Sequence, residues 1–170
     1  MAFYLLDTNV ASWLLDAKHK RHSDVLSFVN TAGGDSHIYI SRVTVAEIQY
    51  GYKVYVNVDH TRKQAIEQRL KLFQIREIDR HTTEPYSDIR AALFQQFASK
   101  AKKGKATGRK PEELIDNTNG RELGIQENDL WIAAIAVQYN LLLVTQDKMK
   151  NIRQAIQTLF PQFKFVSLPN

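Results

Sequence analysis

Two short apolar runs constrain this chain more than anything else in it. Phe3-Tyr4-Leu5-Leu6 stops at Asp7-Thr8-Asn9, and Leu141-Leu142-Leu143-Val144 stops at Thr145-Gln146-Asp147. Neither run alternates with polar residues, so each reads as a strand buried on both faces. Ligands of parallel sheets bind outside the carboxyl ends of the strands. Asp7 and Asp147 should therefore face one crevice. Taken alone, Asp7 equally suits an N-cap for a helix over 10–15, and Asp147 a turn or cap residue.

Between these runs, helix and strand signals alternate. The spacing predicts helices over about 10–15, 24–32, 44–52, 84–97, 130–137 and 148–159, and one capped by Asp59 or Thr61 that runs through Phe73. It predicts further strands at 37–40, 74–78 and 163–168. Ser23 reads as a helix cap, Ser41 closes the second strand and Thr44 opens the helix after it. Val45, Ile48 and Tyr52 fall on one helical face, Ala46 and Ile48 look core-facing, and Tyr50, Tyr52 and Tyr55 read as partly buried. The segment 112–124 has no clear pattern beyond a turn at 117–120. The fold class is α/β, a parallel sheet of about five strands with helices on both faces. At 170 residues the chain is expected to form a single domain over 1–170.

The sequence contains no cysteine, which rules out disulfides and thiolate metal sites and fits a reducing, cytoplasmic setting. No signal peptide is expected, because the first apolar run ends at Asp7. The apolar stretch 130–145 is broken by Gln138 and Asn140, so no membrane span is expected. The formal net charge is +5. A modest excess of this kind can draw nucleic acid or an anionic surface. Much of it lies in a basic loop or insertion at about 99–124. There Lys100, Lys102, Lys103, Lys105, Arg109 and Lys110 follow one another with no acid among them. The stretch is either a solvated loop or an arm that tracks phosphates.

Two further acids belong with Asp7 and Asp147. Glu47 lies about one turn into the helix after the second strand, and Asp129 stands at the start of the buried helix 130–137. Each has an ordinary alternative: Glu47 as a solvent-facing helix residue, Asp129 as a cap in competition with Asn128. Helix starts and strand ends share one edge of a parallel sheet, so four carboxylates could converge there. Like charges held together raise one another's pKa and cost stability unless a cation or protons compensate. Oxygen-only ligands suit hard divalent ions such as Mg²⁺ or Mn²⁺. Such an ion can turn water into a nucleophile and steady a phosphodiester under attack. Thr8, Asn9 and Thr145 could orient water or the carboxylates themselves. Trp131 reads as core, and the five histidines show no ligand spacing.

Four motifs carry a family resemblance. They are Leu6-Asp7-Thr8-Asn9, Thr44-Val45-Ala46-Glu47 with Tyr50-Gly51, Asn128-Asp129-Leu130-Trp131-Ile132-Ala133-Ala134, and Leu143-Val144-Thr145-Gln146-Asp147. In this order the chain resembles the PIN-domain ribonucleases, most of all the VapC-type toxins of toxin–antitoxin pairs. The resemblance implies a parallel sheet with helices on both faces and Mg²⁺- or Mn²⁺-dependent cleavage of single-stranded RNA. It implies an antitoxin partner and, as in many members, a homodimer. It assigns Asp7, Glu47, Asp129 and Asp147 as metal-binding catalytic acids, supported by Thr8, Asn9 and Thr145. The alternative is a catalytically idle PIN-like module that binds RNA or protein through its basic stretch.

Overall fold

Five parallel strands form one sheet in the order β3-β2-β1-β4-β5. They are β1 (Phe3–Leu6), β2 (His37–Ser41), β3 (Gln74–Arg76), β4 (Leu142–Val144) and β5 (Phe165–Val166). The computed structural model describes residues 2–32, 37–54, 59–97, 110–116 and 118–168. Among these, seven α-helices are present: α1 (Thr8–Leu15), α2 (His22–Thr31), α3 (Arg42–Val54), α4 (His60–Leu70), α5 (Thr83–Phe97), α6 (Glu127–Gln138) and α7 (Lys150–Leu159). No helix among the described residues is long and apolar enough to cross a membrane.

The chain divides into two compact units. One comprises Met1–Glu77, Tyr139–Asp147 and Lys164–Asn170, and holds the whole sheet with α1 to α4. Its core gathers Leu6, Ile40 and Val144 of the strands with Val10, Val25, Ile48 and Ile66 of the four helices. Fully burying one such side chain contributes roughly 1.5–3 kcal/mol. β1 sits between β2 and β4, paired to both in parallel register, Leu6 opposite Ile40 on one side and Val144 on the other. The chain leaves β1 toward β2 on one side and returns through β4 on the other, so the topological switch point lies between β1 and β4. The second unit comprises Ile78–Gln138 and Lys148–Phe163 and holds α5, α6 and α7.

Several local expectations shift. β1 is only half closed off: Leu5 and Leu6 are fully buried, but Phe3 is 37% exposed. α3 starts at Arg42 rather than Thr44, because the Ser41 hydroxyl accepts the Thr44 N–H at 2.8 Å and so draws the preceding turn into the helix. Ser23 does not cap α2, whose N-cap is Arg21, with no side-chain cap bond. α4 ends at Leu70, and β3 and β5 are shorter than their apolar patterns. Tyr50 is 67% exposed, since it lies about 200° round the helix from Ile48 on the buried stripe. Ala46 is exposed too, while Tyr52 packs against the core and Tyr55 lies outside the described residues. The unassigned stretch 112–124 contains a 3-10 turn (Pro111–Glu113) and a single antiparallel bridge between Ile115 and Glu122. Gly120 closes the turn between them at φ 70°, its N–H on the Asp116 carbonyl at 2.8 Å.

Candidate active site at the β1/β4 switch point

The site begins where the β1–β4 ladder runs out. The Asp7 N–H makes the last bond, to the Val144 carbonyl at 3.0 Å, and the chain then turns into α1. Asp7 is the N-cap of that helix: its Oδ1 accepts the Val10 N–H at 2.8 Å. The cap and site readings are thus divided between two oxygens of one carboxylate. The second oxygen, Oδ2, is buried without a hydrogen-bond partner, and the residue as a whole is 2% exposed.

Burial raises the proton affinity of Asp7 most, and the charges of Asp147 and Glu47 add to it. The Thr145 hydroxyl and the Val10 amide work the other way. The balance pushes its pKa up to about 6 from the ordinary 3.8. Two carboxylates therefore lie close enough for Asp7 to feel their charge. Glu47 is held by the Thr8 hydroxyl, which donates to its Oε2. Thr8 also lies 3.3 Å from the Thr44 hydroxyl, itself 2.9 Å from the Ser41 hydroxyl. Asp147 is exposed, and its Oδ2 accepts the Asn9 amide N–H at 2.9 Å. Its backbone N–H donates to the fully buried Thr145 hydroxyl at 3.0 Å.

Asp7, Glu47 and Asp147 thus gather in the first unit, with Thr8, Asn9 and Thr145 around them. Asp129 lies in the second unit, half-buried in the first turn of α6, its N–H donating to the Gln126 carbonyl at 3.1 Å. The start of that helix is satisfied from a distance in sequence, the Glu127 N–H donating to Glu112 Oε1 at 3.0 Å. Lys110 is exposed in the same unit, whereas Lys100, Lys102, Lys103, Lys105 and Arg109 lie outside the described residues. Ser41 and Thr44, both fully buried, are the members that sequence reasoning used only as element boundaries. Their local pattern marks only the end of β2 and the start of a helix; nothing in it marked the Thr8–Glu47 neighbourhood.

Among the described residues, no three acidic or histidine side chains already converge on one point as a metal site. The chemistry of the first unit's acids nevertheless fits a hard divalent cation. The donors are oxygens only, one buried oxygen lacks a partner, and the neighbouring charges leave Asp7 short of positive charge. The α1 N-terminus supplies only part of that.

An open parallel sheet with acids at its switch point defines an α/β protein whose polar chemistry lies at the ends of β1 and β4. This chain belongs to the PIN domain family, whose profile it matches over residues 4–154. No curated protein sequence matches it. Among solved structures it is similar to VapBC2 from Rickettsia felis, crystallised with a DNA fragment from its promoter. The identity is 22% with a TM-score of 0.67, covering 98% of this chain and 99% of that one. VapBC-1 from nontypeable Haemophilus influenzae matches with 22% identity and a TM-score of 0.65, covering 97% of both chains. FitAcB from Neisseria gonorrhoeae matches with 24% identity and a TM-score of 0.60, covering 95% of both. What these similarities show is a shared fold.

Proposed function

We propose that this protein is a Mg²⁺- or Mn²⁺-dependent endoribonuclease acting on single-stranded RNA in the cytoplasm, and the toxin of a toxin–antitoxin pair. Membership of the PIN domain family supports nuclease chemistry. Similarity to the VapBC structures supports a protein antitoxin as partner, and a homodimer is proposed with it. The match over residues 4–154 runs through both compact units, which supports one PIN-like domain over 1–170 with a basic loop at about 99–124.

The observation that carries the reading is Asp7: a buried carboxylate with one oxygen used as a cap, the other without a partner, and two more acids within reach of its charge. Asp7, Glu47 and Asp147 would hold the ion, and Asp129 is proposed as a further metal-binding acid on the strength of the family resemblance. When bound, it supplies Lewis-acid stabilisation of the phosphodiester and lowers the pKa of water. The chain's own residues prepare that site. Thr8 fixes Glu47 and Asn9 fixes Asp147, so neither carboxylate has to be ordered when substrate arrives. Thr145 holds the Asp147 backbone. Lys100, Lys102, Lys103, Lys105, Arg109 and Lys110 are proposed to contact the RNA backbone, which would make binding weaken as salt rises.

The test is cleavage of a mixed single-stranded RNA pool with Mn²⁺, with Mg²⁺ and with chelator, beside Asp7→Asn and Asp129→Asn. The expected result is metal-dependent cutting that falls at least a hundredfold in both variants. Equal cutting by wild type and Asp7→Asn, with contaminating nuclease excluded, would remove Asp7 from the mechanism.

A further inference from the structure

The second unit holds a cavity of about 300 Å³ that the acidic site does not use. Its floor is apolar and closed, with Leu93 and Leu130 fully buried and Leu114 at 4% exposure. Tyr86 forms a wall, and Arg90 and Lys110 stand at the edge; no acid is among its lining residues. The wall is rigid. Tyr86 stacks on Trp131 at 3.7 Å between centroids, and its hydroxyl donates to Glu127 Oε1 at 2.5 Å. The Arg90 guanidinium donates to the same hydroxyl at 2.5 Å and pairs with Glu127 Oε1 at 3.3 Å, which fixes it beside Tyr86. The volume is at the lower end of small-molecule sites, roughly 300–1,000 Å³.

We propose that this cavity is a nucleotide subsite, taking one base of an RNA strand against Tyr86 and the leucines while Arg90 and Lys110 face its phosphate. A slot with an apolar, aromatic interior and cations at its edge complements a flat base joined to an anion. Single-stranded RNA offers bases that can be splayed out and stacked on aromatic side chains or guanidinium planes. The position in the chain also favours RNA. Leu130, in the floor, directly follows Asp129, so a base seated here belongs to a nucleotide close to that acid. The identification of the occupant as RNA rests on the nuclease reading, but the fit to a nucleotide monophosphate does not.

The test uses the full chain with Trp13→Phe, which leaves Trp131, stacked behind the pocket wall, as the sole tryptophan reporter. Nucleoside 5′-monophosphates, the corresponding nucleosides and inorganic phosphate are titrated in chelator, so no cutting is involved. The expected result is a saturable change in Trp131 emission with monophosphates, and at least tenfold weaker responses to nucleosides and to phosphate. Ala91→Phe, which crowds the cavity from its exposed edge, should abolish the response, and Lys110→Gln should weaken it severalfold with a shallower salt dependence. Circular dichroism confirms that each variant is folded. No saturable response, an equal response to phosphate alone, or one unchanged by Ala91→Phe would overturn the proposal. So would emission that follows protein concentration instead of nucleotide, which would make the cavity an interface between copies. Failure of wild-type RNA cutting, by contrast, bears on the nuclease reading and leaves this titration standing.

Discussion

Asp7 gives one oxygen to the fold and keeps the other buried and bare, and the cap and the buried charge have opposite energetic signs. The cap on Val10 stabilises α1 by about 1 kcal/mol. The buried charge opposes folding. Because its pKa is raised to about 6, the folded chain binds more protons than the unfolded chain between about pH 4 and 6. Asp7's contribution to stability is therefore present in acid and lost as pH rises through that window. By pH 7.5 the loss is on the order of 3 kcal/mol for a shift of about two units. Asp7→Asn keeps an oxygen for Val10 and removes the charge. In chelator it should stabilise the protein by about 1–3 kcal/mol at pH 7.5 and flatten the slope between pH 4 and 6. Urea midpoints across pH measure both effects, and a less stable variant at pH 7.5 would refute this account of Asp7.

At the scale of elements, α1 positions the site, and α4 anchors the far end of α1. Its last carbonyl groups would otherwise lack partners. Arg69 of α4 donates to the Leu15 carbonyl at 2.6 Å. Arg62 grips the C-cap Asp16, with its Nε 3.1 Å from both carboxylate oxygens. The Arg62 hydrogen bonds hold the Asp16 carboxyl below its usual range, against the opposing effect of burial. A depressed carboxylate stabilises above its unfolded pKa and loses that contribution as pH falls through the folded one. Arg62→Ala should therefore cost about 1–2 kcal/mol at neutral pH, at the low end for a buried acceptor left unmade because Arg62 itself is 43% exposed. The difference from wild type should vanish in acid. A penalty that persisted unchanged at pH 3 would mean that packing by the arginine stem, and not its charge, secures α1.

At the scale of the molecule, a +5 chain concentrates three acids at one switch point. If those acids hold a divalent ion, the ion stabilises the folded state alone, by about 2.7 kcal/mol at a hundred times its Kd. Mn²⁺ should raise the Tm of wild type by several degrees and leave that of Asp7→Asn nearly unchanged. An equal rise in both would place the ion elsewhere. Mn²⁺ should also level the pH 4–6 slope, since the cation replaces the proton that Asp7 otherwise keeps.

Much of the fold was legible in order and not in edges. The runs ending at Asp7 and Asp147 announce buried parallel strands, because an apolar run without alternation is a local property that survives any context. Parallel strands put their ends on one edge, so the pairing of those two acids could be anticipated as well. Tyr50 was misjudged because a cluster of tyrosines suggested burial, whereas its angle from Ile48 decides that it faces water. What the sequence by itself determined is the alternation of strand and helix and the acids that end the strands, since both follow from periodicity and polarity within a few residues. Only the tertiary structure decided which Asp7 oxygen is capped and which is bare, that Thr8 takes Glu47 across 39 residues, that Asn9 takes Asp147 across 138, and that Glu112 completes α6. It alone assembles the cavity floor from Leu93, Leu114 and Leu130. Those contacts have no local signature, because a hydrogen bond or a shared cavity between distant residues exists only once the packing of strands and helices has brought their elements together.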